Sequence, residues 1–211
     1  MKPYYQQSGV TIYHGDCREV CDEWRGTRAT PFDLMLTDPP YGHGEKWNGG
    51  TWASDPMYAD ALRWDVKLPD SDLIELLHLA RSAIVWGGNY YAMPPSRCWL
   101  AWVKSSLMDT LADFELAWTN LDRPAKLLRE DRNADGKRYH PTQKPESLML
   151  WALSMVPNSA TVVDPFMGSG TTLVASKRLG KSAVGIEWEE EYCEIAATRL
   201  QQESLFSELT R

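Results

Sequence analysis

Short apolar runs rich in β-branched residues recur along the chain, each cut off by a polar or glycine-containing turn. Thr11–His14 is such a run, stopped by Gly15-Asp16, and a helix is expected from about Arg18 to Trp24. Phe32–Thr37 is the next predicted strand and ends at Asp38-Pro39-Pro40-Tyr41. Leu73, Leu76, Leu77 and Ala80 fall on one helical face, opened by Asp70 or Ser71 as N-cap. Ala83–Trp86 reads as a buried strand ending at Gly87-Gly88, and Trp99–Val103 and Phe114–Trp118 as two more. From Pro145 to Val156 the chain is apolar nearly all round, as for a helix packed on a sheet. Thr161–Val163 is a short strand leading into Asp164–Thr172, followed by a helix to about Leu179 and a strand at Ser182–Ile186. Tyr192, Ile195, Ala196 and Leu200 then repeat at helical spacing. Strands alternating with helices predict an α/β fold with a doubly wound, mostly parallel sheet. Without an internal repeat or a clean linker, residues 1–211 are expected to form one domain. Two stretches lack a period: 42–69, a long loop of the kind that carries function, and the basic, irregular segment 119–139.

Composition narrows the setting. With 211 residues the chain can bury a sizeable core unaided. No run approaches the roughly 18 to 20 apolar residues of a membrane span, and the opening residues lack a secretory signal, so a cytoplasmic protein is expected. Cysteines 17, 21, 98 and 193 show no paired spacing for zinc, so no metal is expected, and they are too few for a disulfide scaffold. A net charge of -7 argues by itself against a partner as acidic as DNA. The distribution says otherwise. Glu187 to Glu208 holds seven glutamates against Arg199, whereas Arg123 to Lys144 holds seven basic residues against three acidic ones. Either run can be a plain solvated face. The pair can also mean a basic face for phosphates and an acidic back. Most of the ten tryptophans are expected in the core, but Trp47 and Trp52 sit among glycines in the long loop.

Three clusters at strand ends carry candidate chemistry. Asp164 to Thr172 places Gly168 and Gly170 at a strand-to-helix turn, where a ligand can approach the backbone and helix N–H groups are free. A phosphate-binding Gly-Lys-Ser/Thr is absent, and Leu173 stands where a dinucleotide fingerprint needs its third glycine. Glu187 follows Asp164 by 23 residues at the next strand end, where a carboxylate can take both hydroxyls of a ribose. The bland alternative is a tight turn plus a solvated glutamate. In Asp38-Pro39-Pro40-Tyr41, an aspartate oxygen and a rigidly held carbonyl form matched acceptors for one NH2 group, and Tyr41 offers a face for a planar ring. An Asx-type turn with a buried tyrosine would look similar. His140-Pro141-Thr142-Gln143-Lys144-Pro145 reads alone as a helix start, and spacing assigns it no chemistry.

In that order the three motifs resemble the β-type amino-group DNA methyltransferases, over about residues 11 to 200. The resemblance implies a class I methyltransferase (Rossmann-like) fold with a seven-stranded, circularly permuted sheet. The strands at 161–163, 182–186 and 11–14 would be its first, second and third. It also implies S-adenosylmethionine as cofactor, held by Asp164, Phe166, Gly168, Ser169, Gly170 and Thr171. Glu187 would take the ribose and Asp16 the adenine. His140, Thr142, Gln143 and Lys144 would lie near the methionine moiety, with Asp38 bordering the cofactor. Asp38, Pro39, Pro40 and Tyr41 would be catalytic, acting on a base flipped out of double-stranded DNA. Aspartate at the first motif position is the commoner form in the adenine-N6 enzymes and favours adenine, with N4-cytosine as the alternative. Only 42–69 and 119–139 are left to read DNA, with Arg123, Lys126, Arg129, Arg132, Lys137 and Arg138 as phosphate contacts and Trp47, Trp52 or Trp64 as candidate wedges. Such small readers imply a short or relaxed recognition sequence, or a homodimer. A methyltransferase acting on RNA or a protein amide and a catalytically silent nucleic-acid-binding module are the other readings.

Overall fold

The computed structural model describes residues 2–25, 32–43, 65–105, 112–132, 139 and 143–209. Its β-rich runs form nine strands: β1 (Tyr5–Gln7), β2 (Val10–His14), β3 (Phe32–Thr37), β4 (Ala80–Trp86), β5 (Trp99–Lys104), β6 (Phe114–Thr119), β7 (Lys126–Glu130), β8 (Thr161–Asp164) and β9 (Ser182–Glu187). They make one sheet in the order β1-β2-β9-β8-β3-β4-β6-β5-β7. The pairings β2–β9, β9–β8, β8–β3, β3–β4 and β5–β7 are parallel, and β1–β2, β4–β6 and β6–β5 antiparallel. The strands expected as first, second and third are neighbours in the sheet.

Each central strand is buried on both faces, which is why the runs are continuously apolar rather than alternating. Among the described residues five α-helices cover the faces: α1 (Cys17–Arg25), α2 (Asp70–Leu76), α3 (Glu146–Ser154), α4 (Thr171–Arg178) and α5 (Glu190–Leu209). Leu34, Leu36, Ile84, Trp86 and Val162 pack with Leu148, Leu153, Leu173 and Leu200 from α3, α4 and α5. Their sheet neighbours Met35, Val85 and Val163 face the other way, onto Val20 and Cys21 of α1 and Leu73 and Leu76 of α2. The period-2 alternation of a strand thus divides one run of apolar residues between two cores.

Four expectations change. The sheet has nine strands rather than seven, because β1 and β7 add short strands at its two edges. Segment 119–139 is not wholly irregular: Lys126–Glu130 pairs in parallel with β5, and that pairing, not the weak Leu127-Leu128 signal, makes it a strand. Ala80 is not helical. It opens β4 opposite Phe32, after a 3₁₀ turn at Leu77–Leu79. Finally, Pro69 rather than Asp70 or Ser71 occupies the N-cap of α2, with no side-chain cap.

Trp86, Trp102 and Trp118 are buried as expected, but Trp188 is 62% exposed. Trp47, Trp52, Trp64, Lys137, Arg138, His140 and Thr142 lie outside the described residues. Among those described, no helix is long and apolar enough to cross a membrane.

The close approach of α4 to the sheet, which a third glycine in its first turn would otherwise permit, is made from the strand side. A Cβ on Gly185 of β9 would lie 2.4 Å from the Met167 sulfur and 2.8 Å from a Leu173 methyl. Both are core side chains with little room to yield. Gly185→Ala is therefore expected to destabilise the fold by about 1–3 kcal/mol, read as a lower urea midpoint with an unchanged slope.

Candidate functional site

Parallel strands run in one direction, so the carboxyl ends of β2, β3, β4, β8 and β9 collect along one edge of the sheet. Ligands of open α/β sheets bind at that edge, where the chain reverses its winding. Here the reversal lies between β8 and β3, and a cavity of about 550 Å³ opens there. Asp38, Tyr41, Asp164, Phe166, Gly168 and Glu187 all line it.

The two strands at the reversal are tied together at their tips. The Thr37 hydroxyl donates to Asp164 Oδ1 at 2.6 Å, and the Phe166 N–H donates to the same oxygen at 3.1 Å. Asp164 is 3% exposed. Burial raises its carboxyl to about 6, against the Thr37 and Thr172 hydroxyls and the Phe166 N–H. This contact sets where Asp38 stands relative to the glycine turn.

Beyond Asp38 the backbone is held from three sides. The Asp65 carboxylate accepts the N–H groups of Tyr41 (2.8 Å), Gly42 (3.1 Å) and His43 (2.7 Å). The Tyr91 hydroxyl donates to the Pro40 carbonyl, while among the described residues the Pro39 carbonyl has no partner. The Tyr41 ring lies against Gly87, where a Cβ would come within 1.9 Å of it, and Gly87 has the left-handed φ of +65° that glycine tolerates. Tyr90 stacks on Tyr41 with centroids 4.8 Å apart. The Tyr41 hydroxyl donates to Asp38 Oδ1 at 2.5 Å. Its pKa is well above the ordinary tyrosine value, through burial first and Asp38 second, so it stays a donor.

The other Asp38 oxygen meets a lysine. Lys144 Nζ donates to Asp38 Oδ2 at 2.5 Å and reaches the Tyr41 oxygen and Glu115 Oε2 at 3.1 Å each. Desolvation works against its charge, but Asp38 and Glu115 together outweigh it and the ammonium is held charged. Burial pushes Asp38 above the usual carboxylate range, with Lys144 and Tyr41 pulling the other way. The Asp38 side chain keeps 26% of its surface open on the cavity side.

At the opposite end, Glu187 closes β9. It accepts from the Gly168 N–H at 2.9 Å and the Glu189 N–H at 2.8 Å. Burial still lifts its carboxyl to about 7. Gly168 has φ +51° and nothing within 4 Å of a would-be Cβ, so its backbone is open to a ligand. Asp16 lines the same cavity and binds the Arg18 N–H at 2.8 Å and the Arg18 guanidinium. Gln143 joins the glycine turn through Ser169 Oγ, at 3.2 Å. Arg199 of α5, the one basic residue in the acidic C-terminal run, donates to the Ser169 carbonyl at 2.6 Å.

The cavity thus gathers the Asp38 motif, the glycine turn, Glu187, Asp16, Gln143 and Lys144. It does not gather all the basic residues. Arg123 donates to the Met155 carbonyl. Lys126 and Arg129, three apart on an edge strand, point to opposite sheet faces, and of the described residues among these candidates only Arg132 lines the cavity. Asp65, Lys104, Glu115 and Trp188 also line it and were not singled out from the sequence. Asp65 and Glu115 are reached only through the fold. Trp188, next to Glu187, carried a readable signal: a large aromatic directly after a strand-end carboxylate.

A family model described as DNA methylase, of the N6/N4 type, matches residues 84–198, more than half of the chain. The chain belongs to the N6/N4 DNA methylase family. This methylase is 25% identical to the type II methyltransferase M.ScaI of Streptomyces caespitosus, over 96% of its own length and 85% of that protein's. A shorter stretch of 73 residues, 34% of this chain and 20% of the relative, is 44% identical to the type II methyltransferase M.HinfI of Haemophilus influenzae. Its fold matches the M1.HpyAVI–SAM complex with a TM-score of 0.62 at 23% identity, covering 90% of this chain and 98% of the other. It also matches the cytosine-N4-specific PvuII DNA methyltransferase, with a TM-score of 0.58 at 19% identity over 94% and 88% of the two chains.

The Asp65 clamp generates a local prediction for the methylase. Asp65→Ala removes the acceptor for three consecutive N–H groups, so amide exchange at Tyr41, Gly42 and His43 should accelerate by about 10- to 100-fold, with the β8 and β9 amides unchanged.

Proposed function

We propose that this methylase moves a methyl group from S-adenosylmethionine to the exocyclic amine of a base flipped out of duplex DNA, with adenine N6 as acceptor. One observation carries the reading. Asp38 and Pro39, which can offer an acceptor pair for an amine, and Glu187, a carboxylate suited to a ribose, line one cavity together with an open glycine turn.

The residues fit the cofactor. Gly168 leaves its backbone exposed to the cavity, Glu187 offers acceptor lone pairs for a vicinal diol, and Trp188 lies beside it as a flat apolar surface. Asp164, Phe166, Ser169, Gly170 and Thr171 shape the turn, Asp16 lies toward the adenine end and Gln143 and Lys144 toward the methionine end. When bound, the cofactor supplies an activated methyl group on a sulfonium. The protein's part is position and electrostatics. Asp38 and the Pro39 carbonyl accept the two amine protons and turn the nitrogen lone pair out of the ring and toward the cavity. The Pro40 carbonyl, already occupied by Tyr91, leaves Pro39 as the backbone acceptor. Tyr41, backed by Tyr90, presents its ring to the base. Arg132, which lines the cavity, contacts phosphates, and Arg123, Lys126, Arg129, Lys137 and Arg138 are the further phosphate contacts the basic segment offers, so binding weakens steeply with salt.

Asp38→Ala should leave cofactor affinity within about 3-fold of wild type and abolish transfer of labelled methyl to DNA. Modified-base sequencing of DNA from expressing cells should find N6-methyladenine with wild type and none with the variant. N4-methylcytosine instead would overturn the acceptor, and full activity of the variant would overturn the mechanism.

Glu187 makes cofactor affinity depend on pH. Its carboxyl, raised to about 7 by burial, must ionise to accept two ribose hydroxyls. Affinity should therefore be flat above about pH 7.5 and fall by up to about 10-fold per unit below 7, in equilibrium titrations. Glu187→Gln should bind more weakly and lose the pH dependence. For the same reason the Glu187 contribution to apo stability is present below about 4.5 and is lost as pH rises through 7.

A further inference from the structure

Four charges alternate at the Asp38 motif, two buried lysines between and beyond two carboxylates that stay about a quarter exposed. Lys144 spends its three N–H bonds on Asp38, the Tyr41 oxygen and Glu115. Glu115 gives Oε2 to Lys144 and Oε1 to Lys104, the latter at 2.8 Å. Glu115 and Lys104 come from antiparallel neighbours, β6 and β5, whose register sets Trp102 opposite Glu115 and Val103 opposite Phe114. Lys104 then projects on the same face as Trp102, with its ammonium 5.5 Å from the indole centre. The order is Asp38 negative, Lys144 positive, Glu115 negative, Lys104 positive, with no net charge.

Such a cluster is a poor source of stability. Taking two ammoniums and most of two carboxylates out of water costs about what their mutual attraction returns, and an apolar replacement would often do as well. Its arrangement makes sense for the acceptor. A carboxylate in intimate contact with a single ammonium has most of its charge committed, and an incoming amine must compete with a full cation. A second carboxylate on that ammonium draws part of its charge away.

We propose that Glu115 is a positioning residue for methyl transfer: by sharing the Lys144 ammonium with Asp38, it leaves the Asp38 carboxylate free enough in charge to accept the amine of the base. Lys104 keeps Glu115 itself ionised. Burial raises the Glu115 carboxyl, but Lys144 and Lys104 outweigh it and bring it to about 2, so Glu115 stays charged at working pH. The assignment rests on the reading of Asp38 as amine acceptor.

Asp38 is faced by Tyr41 and, behind it, Tyr90, by Tyr91 and Asp164, and by Lys144 and Glu115 with Lys104 beyond; Arg132 and Asp65 line the same cavity. Only Glu115 and Lys104 change in the test, and they change Asp38 in opposite directions. Glu115→Gln leaves Lys144 to Asp38 alone, so Asp38 becomes more acidic and a weaker acceptor. Lys104→Met gives Glu115 wholly to Lys144, so Asp38 becomes less acidic.

The experiment is single-turnover transfer of labelled methyl to unmethylated plasmid DNA across pH 5–9, at saturating cofactor so that Glu187 does not contribute. For E115Q the acid limb of the rate should move to lower pH by about one unit, with a plateau about 10-fold below wild type. For K104M the limb should move to higher pH. Loss of packing alone would lower rates without displacing the limbs in opposite directions. Limbs that stay in place, or move the same way, overturn the proposal. If E115Q fails to bind cofactor, K104M decides by itself: a limb displaced upward supports the proposal and any other result overturns it. Asp38→Asn separates the two levels. Activity retained in that variant, or a wild type inactive on DNA, sinks the Asp38 reading, whereas an inactive D38N beside unmoved E115Q and K104M limbs sinks only the role of Glu115.

Discussion

The hydrogen bond from the Thr37 hydroxyl to Asp164 joins residues 127 positions apart and fixes the tips of two adjacent parallel strands. Everything the cavity offers is measured from that point. Asp38 is the next residue after Thr37, and the glycine turn begins two residues after Asp164 at Phe166, so one buried contact sets the spacing of Asp38 and the turn. Lateral freedom is removed below it by the pairing of Leu34 with Val162 and Met35 with Val163. A one-residue slip would turn Thr37 away and put Asp38 on the wrong face. The bond is buried, so its donor and acceptor have no water to fall back on, and its loss would cost more than a surface contact.

The site is built from carboxylates held out of their ordinary range. Asp164 and Glu187 are lifted by burial, and Asp38 is balanced between burial and an ammonium. None of these is an arrangement that stability alone would select. Each is a group whose affinity for a proton, or for a donor hydrogen, responds to what enters the cavity. Rigid backing makes that response usable. Asp65 holds three N–H groups of the loop after Tyr41, Gly87 lets the tyrosine ring lie flat, and Arg199 reaches from the acidic helix to brace the glycine turn.

That helix also resolves the charge of the chain. The net of -7 argues against a nucleic-acid partner only if it is spread evenly. The acidic run lies mainly along α5, with only its first members Glu187 and Glu189 at the cavity that Arg132 also lines. The basic segment nonetheless does not form one continuous face, because the part of it that pairs as β7 sends alternate side chains to opposite sides.

Much of the architecture is legible in the linear pattern. Apolar runs of strand length that stop at Asp38, Gly87, Asp164 and Glu187 announce a parallel sheet with chemistry at the strand ends, because every parallel strand must deliver its last residue to the same edge. The motifs at those ends are local, so their residue types can be read without a fold. What the chain alone could not show is set by register and burial. β7 exists because β5 is there to pair with it. Asp65 meets Tyr41 across a loop, and Lys104, Glu115 and Lys144 come from three separated segments that only the sheet and its covering helix bring within a few ångströms. The sequence determined the fold class, the glycine turn and the Asp-Pro-Pro-Tyr motif, since each depends on neighbours a few residues apart. Tertiary structure decided the charge cluster beneath Asp38 and the clamp behind Tyr41, because contacts between distant segments follow from the packing of the whole sheet.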